Sequence, residues 1–286
     1  SITVFAEPQI AQTAINAAFE EFRVVDRLLS IHRNDSELAR ANRDGAVNRE
    51  LNSVLSQVLQ ISNETKGAFD PTIRPLADLW GFIKKEGYRL PRPSELKSVL
   101  ELVNYRKVAL KNKRLEFGAK GMSIDPGGFG KGYAVDRAID VLKKAGVKNA
   151  MVKAGGDLRV IGLPPGKKYW IVYIEDPNKK GDRLEVPLRR GALSTSGNYE
   201  NFFIEKGKSY GHLLDPRTGH PIQGIGSCTL VAPTCMESDA YATAACVLGV
   251  KQSQELLGKR YGMRFILLPE QGAAQTVTVG RFPSLD

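Results

Sequence analysis

Four glycines and one lysine fall within six residues at Gly127-Gly128-Phe129-Gly130-Lys131-Gly132. Such a density marks a turn. An amphipathic run follows at once, with Val135, Ala138, Ile139, Leu142 and Ala145 at helical spacing and Gly146 closing it. A glycine-rich turn opening a helix exposes backbone N–H groups and the positive end of the helix dipole, a setting that suits a phosphate. Lys131 adds a full positive charge there. The named phosphate motifs do not fit. A P-loop needs Gly where Asp125 stands and Ser or Thr where Gly132 stands, and GxGxxG fails at Tyr133. A plain tight turn before a helix is the competing reading of this stretch.

A chain of 286 residues can bury a sizeable core, as one large domain or two interleaved lobes. No apolar run is long enough to span a membrane. The formal charge of +10 favours anionic partners. It is not gathered into a basic stripe with interleaved aromatics, so nucleic acid is not expected. The cysteines Cys228, Cys235 and Cys246 form no C-x-x-C pattern, which argues against a zinc site or a disulfide framework and leaves one bridge open.

The pattern along the chain predicts a strand over 2–6, then a helix from Pro8 with Ile10, Ala14, Ala17, Phe22, Val25 and Leu28 or Leu29 on one face. Residues 30–36 read as a polar loop. A second helix carries Leu51, Val54, Leu55, Val58 and Leu59 and ends at Gly67. Asp70-Pro71 is a turn, and Ser94 is expected to cap a helix through Val103. Residues 108–110 and 115–117 read as a hairpin. Short strands are expected at 150–154, 158–161, 170–174, 184–186, 228–232 and 265–268, with helices at 237–248 and 253–261. Strands and helices are mixed rather than alternating, so the class is α+β, with mixed, largely antiparallel sheets flanked by helices.

Two constellations carry chemistry. Asp239 and Thr243 lie four apart on a helix, which puts both oxygens on one face. A carboxylate and a hydroxyl suit Mg²⁺. Alternatively, Asp239 favours the helix start and Thr243 bonds its own backbone. His212 precedes the turn Asp215-Pro216-Arg217-Thr218-Gly219 and can be a general base, a phosphate donor or a structural residue. Ser194, Ser196 and Asp215 lie nearby, but without a G-x-S-x-G elbow a Ser-His-Asp hydrolase is not favoured.

Six motifs in order resemble those of the ApbE family, the FAD:protein FMN transferases. They are Gly67-Ala68-Phe69-Asp70-Pro71-Thr72, the stretch from Asp125 to Asp136, Gly155-Gly156-Asp157, Ser194-Thr195-Ser196-Gly197, the stretch from His212 to Gly219, and the stretch from Glu237 to Ala244. The resemblance runs from about residue 2 to 268. It implies a T-fold-like architecture in one domain over 1–286. It also implies Mg²⁺-dependent cleavage of FAD, with FMN attached through its phosphate to a Thr or Ser of a partner flavoprotein and AMP released. By motif, Asp239, Thr243 and the main-chain oxygen of Gly128 resemble the metal ligands. His32, Ala68, Phe69, Asp70, Asp125, Lys131 and Leu214 resemble the FAD contacts, and His212 resembles the catalytic histidine. Gly128 departs from a more usual Ala, Ser or Thr, and Ala242 stands where some members carry an Asp. The family's Met-Gly-Thr before the first strand is missing from this chain.

The acceptors implied by the resemblance are flavin subunits of respiratory redox complexes. The implied location is exported, periplasmic or as an inner-membrane lipoprotein with its signal removed, and a cytoplasmic one stays open. Two rivals remain at this stage: an FAD pyrophosphatase making FMN and AMP, and a flavin-binding protein without turnover.

Overall fold

The computed structural model describes residues 1–83, 87–175, 183–198, 201–268 and 273–285. Strand β1 (Ile2–Phe5) leads into helix α1 (Pro8–Leu29), whose first residue is a proline with φ already suited to a helix. Helices α2 (Glu37–Asp44), α3 (Arg49–Glu64), α4 (Arg74–Trp80) and α5 (Pro93–Leu100) follow. A hairpin of β2 (Val108–Lys111) and β3 (Arg114–Phe117) precedes α6 (Gly130–Lys144). Then come β4 (Asn149–Ala154), β5 (Asp157–Ile161), β6 (Trp170–Glu175), β7 (Arg183–Leu188), β8 (Gly191–Gly197), β9 (Phe202–Glu205), β10 (Lys208–Gly211) and β11 (Ile225–Ala232). Helix α7 (Cys235–Leu256), β12 (Gly262–Leu267) and β13 (Gln275–Val279) complete the order.

The fold is α+β. A seven-stranded sheet runs β1-β4-β5-β8-β11-β12-β13, with each neighbouring pair antiparallel. Alternation along β5 divides its side chains between two faces. Leu158 and Val160 join Val172, Val186 and Leu188 of the β6–β7 hairpin in one apolar cluster. Asp157 and Arg159 point the other way, to Lys131 and Asp136 of α6.

Helices α6 and α7 cross on that second face. A Cβ on Gly132 would stand 2.3 Å from the Cys235 carbonyl oxygen and 2.7 Å from the Met236 Cα, so only glycine lets the two backbones meet. Asp136 accepts from the amides of Cys235 (2.8 Å) and Met236 (2.9 Å), capping α7 from the neighbouring helix. Thr234 and Glu237 form a capping box at the same end.

Several elements differ from the sequence expectation. The 30–36 loop ends in α2, capped by Ser36; its polar composition, with only Leu38 and Ala41 buried, hides it. Arg92, not Ser94, precedes α5, and the Glu95 carboxylate accepts from the Arg92 amide. Ile10 and Ala17 lie outside the buried face of α1, where Ala14, Ala18, Val25, Leu28 and Leu29 sit. Ala145 is exposed at the end of α6. Gly249, at φ 70 and ψ 178, breaks α7. β13 was not expected. Cys228, Cys235 and Cys246 are free and buried, so the bridge left open does not form among them.

Replacing Gly132 by Ala sets two effects against each other. Alanine favours a helix interior by about 1 kcal/mol, while overpacking costs about 1–3 kcal/mol and more against rigid backbone. The clash should win, and Gly132→Ala should unfold at lower urea than the wild type. A midpoint equal to or above the wild type's would show that the crossing tolerates a methyl group.

Candidate active site

A cavity of about 340 Å³ gathers the residues that the family resemblance points to: His32, Ala68, Phe69, Asp70, Asp125, Gly128, Lys131, His212, Leu214, Asp239 and Thr243. They come from separate parts of the chain, so the fold, not local spacing, brings them together.

The first wall is the turn after α3. Asp70 Oδ1 accepts from the Thr72 amide (2.9 Å) and hydroxyl (2.6 Å), and Oδ2 accepts from the Tyr105 amide (2.8 Å). The Asp70 side chain therefore builds the turn that presents Ala68 and Phe69. Burial raises its pKa, and the bonds from Thr72 and Tyr105 oppose that. The Asp125 amide donates to the Pro71 carbonyl at 2.7 Å and ties the second wall to the first. Asn42 of α2 grips the Ile124 backbone by two hydrogen bonds of 2.8 and 2.9 Å, so the helix hidden in the sequence fixes the approach to Asp125.

Asp125 itself is partly satisfied. Oδ1 accepts from the Gly127 amide at 2.7 Å, while Oδ2 is buried with no hydrogen-bond partner. Burial raises the Asp125 pKa, with the Gly127 amide opposing. An orphaned buried oxygen on a cavity wall fits a ligand that brings a donor.

The third wall is the meeting of α6 and α7. Asp239 Oδ2 accepts from the Gly132 amide at 3.1 Å, and Asp239 Oδ1 lies 3.9 Å from Lys131 Nζ. The Thr243 hydroxyl shares a hydrogen bond of 3.0 Å with Ser196 Oγ on β8. Asp239 is therefore not the cap of α7, and Thr243 does not bond its own backbone turn here. Gly128 packs against Thr243; a Cβ there would stand 3.4 Å from Thr243 Oγ1 and 3.0 Å from Phe69. No three His, Cys, Asp or Glu side chains cluster as a metal cage among the described residues. The donors on this wall are a carboxylate, a hydroxyl and main-chain oxygen, a hard set that fits a small divalent cation retaining waters.

The fourth wall carries His212, directly after β10. Its amide donates to the Asn201 carbonyl at 2.9 Å, and its Nδ1 lies 3.2 Å from the same oxygen. A carbonyl only accepts, so Nδ1 carries the proton and the basic lone pair is on Nε2. The Phe82 ring meets His212 edge-on at 6.5 Å.

The sequence reading assigned no role to Asp157 or Asn201 and weighed Ser196 only for a hydrolase triad that it did not favour. Asp157 pairs with Lys131. Period two along β8 was a usable signal, since it turns Ser194 and Ser196 to the same face, toward Ser238 and Thr243. Nothing local marks Asn201, which acts through its main chain.

The match to the ApbE family model covers residues 1–267. The chain belongs to the ApbE family. It is 30% identical over 276 residues to the FAD:protein FMN transferase of Haemophilus influenzae, covering 91% of this chain and 80% of that one. It is 31% identical to the FAD:protein FMN transferase of Treponema pallidum, with 95% and 83% covered. The crystal structure of the ApbE protein of Thermotoga maritima superposes with a TM-score of 0.85 at 31% identity, over 96% of this chain and 91% of that one. The apo flavinyl transferase ApbE of Pseudomonas stutzeri gives 0.86 at 28% identity, over 97% and 90%. Membership makes the protein an enzyme of the transferase class. No described helix is long and apolar enough to cross a membrane.

The Asp125 carboxyl yields a pH-dependent prediction. A carboxyl whose pKa is raised by folding costs no stability below its unfolded pKa, and costs more as pH rises through its folded value. Asp125→Asn should therefore stabilise the ligand-free protein at neutral pH, on the order of 1 kcal/mol. The gain should vanish on acidification through the carboxylate range. Urea unfolding of both proteins across pH checks this; a neutral-pH stability equal to the wild type's would mean that the buried carboxylate is not strained.

Proposed function

We propose that the protein is an Mg²⁺-dependent FAD:protein FMN transferase. One observation carries the reading: a single cavity brings Lys131, Asp239, Thr243 and the Gly128 backbone together with His212. Lys131 is the only Lys or Arg in the lining described, against Asp70, Asp125 and Asp239. A pyrophosphate entering such a site needs a further cation to offset its charge. Mg²⁺ held by Asp239, Thr243 and the Gly128 oxygen would supply that charge and polarise the phosphoryl group.

The chain's own groups do the rest. The Lys131 ammonium and the positive end of the α6 dipole orient the pyrophosphate. The Asp125 Oδ2 accepts from a donor of the bound dinucleotide. His212 Nε2 takes the proton from the hydroxyl of a protein Thr or Ser. That oxygen forms a phosphoester bond to the FMN phosphorus, the P–O bond to the AMP phosphate breaks, and AMP leaves with the electron pair. Little covalent work falls to the protein, so positioning and charge stabilisation suffice.

Asp239→Ala should abolish Mg²⁺-supported FAD turnover and leave the fold intact. The cap of α7 is Thr234 with Glu237, so the loss is the bond from the Gly132 amide, about 1–3 kcal/mol for a buried donor left alone. Normal turnover with Mg²⁺ would remove Asp239 as a ligand.

His212→Asn should slow FMN transfer by about 10²–10⁴-fold while FAD still binds, as expected for loss of a general base. The readout is covalent flavin on an acceptor flavoprotein, followed by in-gel fluorescence beside an FAD titration. Unchanged transfer would exclude His212 as the base. Release of FMN and AMP by the wild type at the same rate with and without acceptor would make the enzyme a pyrophosphatase instead.

A further inference from the structure

Asp157 is the first residue of β5. The turn at Gly155-Gly156 pairs it with Ala154 of β4, and the sheet pairs it with Ser194 of β8. Its side chain is 1% exposed, while that of Lys131 is 55% exposed. A carboxylate so buried needs a counter-charge, and the Lys131 ammonium is in contact with its Oδ2. The same ammonium lies 3.9 Å from Asp239 Oδ1. Because Asp239 Oδ2 is engaged by the Gly132 amide, Oδ1 is the oxygen turned toward an incoming cation, and it is the one within reach of lysine. The ammonium and a divalent ion would compete for it.

We propose that Asp157 is a positioning residue for the metal: by holding the Lys131 ammonium in closer contact than Asp239 does, it limits how strongly that charge competes with a divalent cation for the Asp239 carboxylate. This rests on the metal reading given above. The two partners differ in stiffness. Asp157 is fixed by strand pairing on both sides, whereas the lysine ammonium rides on a flexible four-carbon stem. The sheet therefore decides where the ammonium rests. Without the Asp157 charge, the nearest buried carboxylate for Lys131 is Asp239.

The experiment measures binding of Mn²⁺ alone, by the EPR signal of the free ion, to the whole chain without FAD or acceptor. Asp157→Asn should weaken Mn²⁺ binding by about 10–100-fold, the range for residues that orient a metal's ligands. Asp157→Glu, which keeps the charge, should recover most of the loss. The decisive variant is Asp157→Asn combined with Lys131→Met, which removes the competitor together with its holder; it should bind Mn²⁺ at least as tightly as the wild type. A purely structural role for Asp157 would leave the double variant as weak as the single one. Wild-type affinity in Asp157→Asn, or a double variant tenfold weaker than the wild type, would overturn the proposal. If Asp157→Asn does not fold, the charge-balanced double variant and Asp157→Glu decide the matter. Wild-type Mn²⁺ binding by Asp239→Ala would instead show that the metal reading itself is wrong.

Discussion

The site depends on how closely α6 and α7 approach. At Gly132 the two backbones touch with no side chain between them, and each helix lends the other a carboxylate. Asp136 of α6 takes the first amides of α7, and Asp239 of α7 takes an amide in the first turn of α6. A helix start leaves its N–H groups without partners inside the helix, and here the crossing satisfies the first two amides of α7 and the Gly132 amide of α6. The consequence for chemistry is positional. Asp239 is locked by one oxygen, so its other oxygen has a fixed place beside Lys131 and within a turn of Thr243. A larger residue at the crossing would separate Asp239 and Thr243 from the glycine turn even if every cavity-lining side chain were kept.

The same crossing explains the charge pattern of the cavity. Buried carboxylates are costly unless they are bonded or paired. Asp70 spends both oxygens on amides and a hydroxyl, Asp157 has Lys131, and Asp136 has Arg159 and two amides. Asp125 keeps a buried oxygen without a partner, and its raised pKa records the cost. An acid-rich pocket is stable alone only because most of its acids are engaged internally. What remains exposed to a ligand is a small set of oxygens with defined directions, which favours a cation and a donor-bearing partner over bulk solvent.

The sequence made parts of this legible and hid others for identifiable reasons. The α+β class followed from the mixed order of strands and helices, and helix α6 and the shared face of Asp239 and Thr243 followed from helical periodicity, because i, i+4 spacing survives folding unchanged. The glycine cluster was read as a phosphate turn, yet Gly132 belongs to helix packing, which no local pattern reports. Helix α2 escaped because its apolar stripe is only Leu38 and Ala41, although its Asn42 turned out to hold Ile124. β13 alternates Val277 and Val279 with polar residues and could have been found by its period of two. Asp157 sits in a motif that was noticed but given no role, since its partner lies 26 residues away and only the sheet brings them together.

The two ends of the proposed chemistry rest on different parts of the fold. Asp239, Thr243 and Lys131 are carried by helices packed on the large sheet. His212 is carried by the β9–β10 hairpin, whose Phe203 and Tyr210 stack on each other and pack against Trp80. That aromatic group is a separate cluster with residues from α4, Phe82 and Tyr88. Tyr88 also donates to the Asn201 side chain at 3.0 Å, next to the carbonyl that sets the His212 tautomer. The orientation of His212 is thus governed by ring packing, and that of Asp239 and Lys131 by helix contact and strand pairing. The two sides of the cavity therefore rest on different packing, rings beneath His212 and helix contact with strand pairing beneath Asp239 and Lys131. The proposed transfer needs room for both a dinucleotide and a protein hydroxyl, and the cavity lies between two walls that are supported separately.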